Sequence, residues 1–135
     1  MTSSTRSCEP RPPVAGCGVD CEAVARFAPM LANDDHPMPL AFTRAEVDRA
    51  RRSPSPARTL CACFCAKEAL FKALGAPYNF TDCELILDAD DGAELRLAPS
   101  LTAEHGIGSA TIKISDIEGA DGVVMAVVVL FGTGA

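Results

Sequence analysis

Two short segments contain the residue types on which chemistry could depend. In segment 64–75, Glu68 and Lys72 are four positions apart. Residues at this spacing lie on the same face of a helix, so a carboxylate and an ammonium group would project side by side. The second segment is a short apolar run that ends with Asp20. A carboxylate beside an ammonium group can hold a hard cation and an anionic oxygen together, as chemistry on a phosphate ester requires.

Each acid also has an ordinary structural explanation. An Asp at the end of a strand is more often a cap or turn residue than a metal ligand. Glu68 could simply pair with Lys72 on the helix surface, a contribution of about 0.3–0.5 kcal/mol. However, Glu68 lies between Phe64 and Phe71 rather than opposite the apolar face. A charge at the margin of a core needs a partner, and Asp20 with a divalent cation would provide one. Two carboxylates that leave room for water suit Mg²⁺.

The element that would carry Glu68 and Lys72 is predicted to be a long helix over residues 57–74. Apolar residues recur along it at three- and four-residue multiples, which indicates one buried face. These residues are Leu60, Phe64, Phe71 and Leu74. Ser55 can cap this helix with Pro56 at its first position, and Gly75 suits the left-handed position at its end.

Asp20 is predicted to end a short buried strand over residues 14–20. The next segment, 22–31, has apolar residues at helical spacing and predicts a helix. Further along, Thr43 and Glu46 have the spacing of a capping box, which predicts a helix that reaches about Arg52.

The C-terminal half has the alternation and turn signals of β-strands. Strands are expected at 83–88, 93–98 and 110–115, with a hairpin turn at 90–92 and one or two helical turns at 101–105. Residues 122–131 are apolar on both faces, which predicts a central strand. Helices first and antiparallel strands later predict an α+β fold in which the long central helix packs on an antiparallel β-sheet.

The composition is that of one domain. The chain has 135 residues, of which 48% are hydrophobic, enough for a core of its own. Residues 1–13 are polar and proline-rich, so we expect a disordered N-terminal tail followed by a single domain over 14–135. The sequence shows neither the apolar core of a signal peptide nor a run of about eighteen apolar residues. We therefore expect a cytoplasmic protein without a membrane partner.

The charge is unevenly distributed. The formal net charge of −6 argues against indiscriminate nucleic-acid binding. Segment 44–72 nevertheless has seven basic residues against three acidic ones. This local excess fits either a dedicated anionic partner or a solvated helix face, and charge alone favours neither.

The seven cysteines need an explanation of their own. They are Cys8, Cys17, Cys21, Cys61, Cys63, Cys65 and Cys83. They form no paired C-x-x-C motif, so a metal-binding interpretation is weak. We interpret them as small, reduced and mostly buried thiols.

Taken together, these motifs resemble those of the 4′-phosphopantetheinyl transferases. Their order, spacing and short length are similar to the holo-acyl-carrier-protein synthase type, and the resemblance covers residues 14 to about 131. The specific pair of motifs is the Gly-x-Asp that ends at Asp20 and the Lys-Glu-Ala-x-x-Lys-Ala-x-Gly run over 67–75. Weaker support comes from Arg26-Phe27 and from the spacing of Phe42, Thr43 and Glu46.

The resemblance implies a function. Members move the phosphopantetheine arm of coenzyme A to a serine of an apo acyl carrier protein, of the fatty-acid or polyketide type, and release adenosine 3′,5′-bisphosphate. Asp20 and Glu68 would match the Mg²⁺ ligands and Lys72 the lysine near the pyrophosphate, and these three would be the catalytic residues. The residues matching the coenzyme A site would be Lys67, Lys72, Gly75 and Ser115. The acceptor of the serine proton stays open between a metal-bound water and Glu68.

The resemblance also implies partners. Arg26, Arg44 and Arg49 would face the acidic carrier protein, and the chain would form a homotrimer with active sites between neighbouring subunits. Family members usually have an arginine where this chain has Cys63. An alternative is therefore a catalytically impaired homologue that acts as a carrier-protein or coenzyme A binding module. Retention of Asp20, Glu68 and Lys72 favours the enzyme.

Overall fold

A computed structural model describes residues 11–88, 92–117 and 122–133. Its strands are β1 (Val14–Ala23), β2 (Cys83–Leu87), β3 (Ala93–Leu97), β4 (Ile107–Asp116) and β5 (Val123–Gly132). Its α-helices are α1 (Arg44–Arg52), α2 (Pro56–Leu74) and α3 (Pro99–His105). Short 3-10 turns occupy Val24–Arg26, Ala28–Leu31 and Phe80–Asp82. This is the predicted α+β architecture.

The main sheet is antiparallel, with strand order β1-β5-β4, so β5 is central as predicted. Every second residue of β5 is buried, and α2 packs against that face. In this register Asp20 of β1 and Ile114 of β4 both pair with Ala126 of β5. β2 and β3 form a separate antiparallel pair, which confirms the hairpin pairing. Residues 90–91 of its predicted turn lie outside the described residues.

Two glycines of β1 allow α2 to approach the sheet closely. A Cβ atom at Gly18 would overlap the carbonyl oxygen of Ala69, and one at Gly16 would overlap that of Ala73. Any larger residue at either position would push the strand and the helix apart. The glycines therefore fix how near Asp20 lies to α2.

The N-terminal half differs from the prediction in two ways. β1 is an edge strand that continues to Ala23, and of its residues only Gly18 is buried. The predicted helix over 22–31 is wrong. Glu22 and Ala23 pair with β5, and two 3-10 turns follow with Pro29 at the start of the second. Pairing with the apolar central strand here overrides the helical spacing of the side chains.

Helices α1 and α2 begin and end close to their predicted positions. In α1, Thr43 and Glu46 make both hydrogen bonds of the capping box. In α2, Ser55 holds the N-cap position without a side-chain capping bond, and Gly75 ends the helix with a φ of 68°. The buried face of α2 differs from the prediction, because Phe71 is exposed.

Further predictions can be compared with the described residues. Of the proposed tail, residues 1–10 lie outside them, whereas the Pro13 carbonyl accepts a hydrogen bond of 2.8 Å from Gly132 N. Cysteines 61, 63, 65 and 83 are buried, and Cys17 and Cys21 are exposed, all six as free thiols. Within 11–88, 92–117 and 122–133, no helix is both long and apolar enough to cross a membrane.

Candidate active site

Asp20 and Lys72 meet at the edge of the sheet where α2 ends. Lys72 Nζ donates hydrogen bonds to Asp20 Oδ1 at 3.2 Å and to the Val19 carbonyl at 2.9 Å. The Asp20 side chain is 12% exposed and that of Lys72 is 51% exposed. Asp20 is therefore largely buried, and it is paired with a lysine whose side chain is still about half exposed to solvent.

The second oxygen of the Asp20 carboxylate is buried and has no hydrogen-bond partner among the described residues. Burial of an ionised oxygen without a partner is costly, so such atoms usually mark a missing water, ion or ligand. A divalent cation would satisfy Oδ2. The donor chemistry of this residue therefore fits a metal ligand.

Glu68 shares the electrostatic environment of Asp20. Burial raises the pKa of the Glu68 carboxyl, and the negative charges of Asp20 and Glu22 raise this pKa further. Lys72 and Arg26 act in the opposite direction. A cation between the acids would favour their ionised forms, because it would replace mutual repulsion with attraction.

The protein supplies only a small part of a possible coordination shell. No cluster of three or more His, Cys, Asp or Glu residues suited to a metal occurs in the described parts of the chain. Asp20 and Glu68 would thus need water and substrate oxygens to complete the shell. Mg²⁺ tolerates this because it keeps several waters and binds phosphate oxygens.

Arg26 lies at the margin of this cluster. Its guanidinium is 3.1 Å from Glu22 Oε2 and is stacked over two rings, with centroid distances of 4.8 Å to Phe64 and 5.5 Å to Phe27. The Arg26 side chain is still 48% exposed. Contacts with Glu22, Phe27 and Phe64 therefore fix the orientation of the guanidinium, and its exposed part remains available to a partner.

An apolar pocket of about 500 Å³ adjoins Glu68. Its lining consists of Met38, Pro39, Leu40, Ala41, Phe64, Glu68 and Phe80. Leu40 is 86% exposed, an unusual position for a large apolar residue. Sequence reasoning missed this pocket, because residues 33–39 have no periodic apolar pattern. The one available signal was an apolar residue directly after a proline-rich turn.

The prediction that Lys67 binds the cofactor is wrong. The side chain is fully buried, and its ammonium group is 2.9 Å from Glu46 Oε1 and also donates to the carbonyls of Phe80 and Cys83. A lysine has three donors, and all three are used inside the protein. Lys67 is therefore a structural residue with no group left for a ligand.

The other two predicted coenzyme A residues, Gly75 and Ser115, do not lie together within one chain. Ser115 follows Ile114, which faces α2, so its side chain points to the other face of the sheet. It contributes to a polar cleft of about 550 Å³ with Arg58 and Asp116. Gly75 is exposed at the end of α2, near Lys72 but away from Ser115.

The predicted carrier-facing arginines of α1 have different environments. Arg44 is exposed in the first turn. Arg49 is partly buried, with its guanidinium 3.4 Å from the Leu85 carbonyl and 3.7 Å from Glu84 Oε2. Arg44 is thus available to a partner, whereas Arg49 is partly engaged within the protein.

Cys63 is buried beside Glu46. Burial raises the pKa of the Cys63 thiol well above its usual value, and the Glu46 carboxylate adds to this effect. Both residues contribute to a small cavity of about 70 Å³ together with Arg49. The thiol stays protonated and neutral, so it cannot replace the charge of an arginine at this position.

Known proteins resemble this chain in both sequence and structure. The sequence profile of the 4′-phosphopantetheinyl transferase superfamily matches residues 16–128. A protein named holo-[acyl-carrier-protein] synthase from Clavibacter sepedonicus is 37% identical over 124 residues, covering 79% of this chain and 99% of that protein. The chain therefore belongs to the 4′-phosphopantetheinyl transferase superfamily, as its motifs predicted.

Solved structures agree on the fold. The crystal structure of holo-[acyl-carrier-protein] synthase from Neisseria meningitidis gives a TM-score of 0.71 at 26% identity, covering 87% of this chain and 98% of that one. The ACPS–CoA complex of Chronobacterium ammoniagenes gives a TM-score of 0.63 at 24% identity, covering 87% of this chain and 96% of that one. The chain thus has the fold of the holo-[acyl-carrier-protein] synthases.

Proposed function

We propose that this protein is a Mg²⁺-dependent holo-acyl-carrier-protein synthase. It transfers the phosphopantetheine arm of coenzyme A to a serine of an apo acyl carrier protein. The observation that carries the proposal is the buried, unpartnered Oδ2 of Asp20, in the same charged cluster as Glu68 and Lys72. Relatives named for this activity support the same assignment.

The proposed reaction requires little covalent chemistry from the protein itself. A bond forms between the serine oxygen of the carrier and the phosphorus attached to pantetheine. The bond from that phosphorus to the oxygen of departing adenosine 3′,5′-bisphosphate breaks. Asp20 and Glu68 would hold Mg²⁺, which neutralises negative charge on the pyrophosphate when it is bound. Catalysis then depends mainly on positioning and electrostatic stabilisation.

Lys72 and Glu68 have separate tasks in this proposal. Lys72 reaches solvent at the end of α2, so its ammonium can stabilise the charge that develops on the leaving phosphate. The proton of the attacking serine has two candidate acceptors, a water at the site and Glu68.

An acidic carrier protein fits the surface around the site. The whole chain carries a charge of −6, so attraction must come from a local group of arginines. Arg26 and Arg44 are exposed and could provide this attraction. The apolar pocket beside Glu68 lies near Arg26, because Phe64 lines the pocket and its ring is also stacked under the Arg26 guanidinium. Charges would steer the carrier while the pocket receives an apolar side chain.

The coenzyme A site would need a second copy of the chain. Asp20 and Ser115 lie on opposite faces of the main sheet and on strands separated by β5, about 10 Å apart in the sheet plane. The face of Ser115 also displays Val19, which is 44% exposed, between Cys17 and Cys21. Burial of this face between copies would form the predicted homotrimer and bring Ser115 of one copy to Lys72 and Gly75 of another.

Intact-mass measurement of the carrier tests this function. The protein is mixed with coenzyme A, Mg²⁺ and an apo carrier of either the fatty-acid or the polyketide type. We expect at least one carrier to gain the mass of one phosphopantetheine arm, and the type modified shows which carriers the protein accepts. Omission of Mg²⁺ with added chelator is the control. If coenzyme A binds but no carrier gains mass, the protein is the binding module considered above.

A further inference from the structure

The single ammonium group of Lys72 has two roles that compete with each other. Its Nζ lies 3.2 Å from Asp20 Oδ1 and neutralises that carboxylate. In the proposed reaction it acts on a phosphate, next to a divalent cation that Asp20 would hold. A divalent cation on Oδ2 would lie on the same carboxylate as the ammonium group on Oδ1, and the repulsion between the two cations would weaken the contact of Lys72 with Asp20.

We propose that Lys72 is a placeholder cation, which holds Asp20 while the site is empty and leaves it when the divalent ion binds. This inference rests on the proposed function and adds the regulation of metal loading. Displacement turns the ammonium group away from Asp20 and towards the position of the substrate phosphate. Lys72 becomes available for catalysis only in the loaded site.

The surroundings of Lys72 allow such a movement. The side chain is 51% exposed and lies in the last turn of α2, and its second acceptor is a neutral carbonyl, that of Val19. Release therefore exchanges two hydrogen bonds for hydration of a flexible chain. Lys67, one turn earlier, is the contrasting case, because its side chain is fully buried with three protein acceptors.

The surroundings of Asp20 explain why a placeholder is needed. Its side chain is only 12% exposed, and β1 carries Glu22 on the same sheet face. An unpaired carboxylate here would be both desolvated and close to another acid. Lys72 holds Oδ1 and leaves Oδ2 unpartnered, so an ion can approach the carboxylate before the lysine has moved.

Titration with Mn²⁺, followed by the loss of its free-ion EPR signal, tests the placeholder without measuring activity. Lys72→Met removes the competing charge, so we expect Mn²⁺ to bind about tenfold more tightly than to the wild type. Arg96→Met is the matched control, because it removes an exposed cation from the hairpin, where Arg96 pairs with Glu94. Its affinity for Mn²⁺ should equal that of the wild type.

Two further variants separate the possible failures. Asp20→Asn should lose Mn²⁺ binding, and if it does not, the metal site of the proposed function is wrong. If Asp20→Asn loses binding but Lys72→Met does not tighten it, the placeholder alone is overturned. Lys72→Gln must change the affinity in the same direction as Lys72→Met and serves alone if the methionine variant does not fold.

Discussion

Lys67 and Glu46 form an ion pair in the interior, with 2.9 Å between Nζ and Oε1 and no exposure of either side chain. The pair joins three elements, because Glu46 lies on α1 and also accepts from the Leu85 amide of β2, while Lys67 lies on α2. Buried pairs of this kind add little net stability when complete, but removal of one partner leaves a charge unpaired. Lys67 therefore fixes the position of α1 against α2 and β2.

Loss of the Lys67 charge should destabilise the fold rather than impair ligand binding. Lys67→Met is expected to lower the free energy of unfolding by about 3–5 kcal/mol, as for other broken buried pairs. Urea denaturation measures this change. Lys67→Met combined with Glu46→Gln should be more stable than Lys67→Met alone, because the glutamine keeps hydrogen bonds without the charge. Equal stability of the single and double variants would contradict this explanation.

Replacement of Glu68 should abolish transfer while the fold survives. Glu68→Gln removes a proposed metal ligand from a partly buried position, so we expect kcat/KM to fall at least about 100-fold with little change in thermal stability. Carrier mass gain over time measures the rate. Glu104→Gln changes an exposed acid on α3 and should behave as the wild type. Transfer at the wild-type rate by Glu68→Gln would show that the metal assignment is wrong.

The close approach of β1 to α2 should be intolerant of a single methyl group. Gly18→Ala is expected to lower the free energy of unfolding by about 2–3 kcal/mol, because the new Cβ would overlap the Ala69 carbonyl. Gly75→Ala is the control: its Cβ would meet no described atom, so only the strain of a left-handed residue at φ 68° remains, about 1–2 kcal/mol. A smaller loss at Gly18 than at Gly75 would refute the close contact.

Arg26 should determine affinity for the carrier rather than for coenzyme A. Arg26→Glu is expected to raise the KM for the carrier about tenfold and to weaken its dependence on salt, because an attractive charge becomes repulsive. Steady-state kinetics at two ionic strengths measure both effects. Arg96→Glu makes the same charge change on the hairpin and should leave this KM unchanged. An effect confined to the KM for coenzyme A would mean that Arg26 faces the nucleotide.

The sequence predicted those features that depend on local signals. The capping box at Thr43 and the left-handed Gly75 have short-range causes, so the ends of α1 and α2 were correctly placed to within about one residue. The continuous apolar run of β5 predicted its central place in the sheet for a similar reason. Asp20 and Lys72, far apart in sequence, form an ion pair that the local spacing of Glu68 and Lys72 did not predict.

The features that the sequence did not predict depend on distant partners. Segment 22–31 has helical spacing, but Glu22 pairs with Val124 about a hundred residues later, which no local pattern shows. Lys67 directly precedes Glu68, yet its partner Glu46 is on another helix and draws it inside. The apolar pocket beside Glu68 arises only when residues 38–41 fold over Phe64 and Phe80.

The opposite orientations of Asp20 and Ser115 on one sheet have a kinetic consequence. If a complete site needs both residues, a solitary chain holds halves of two different sites and no whole one. Turnover per chain should then decline as the protein is diluted below the dissociation constant of its assembly and return when the protein is concentrated again. Only the assembled subunits would be active, so the specific activity would depend on the concentration of the protein.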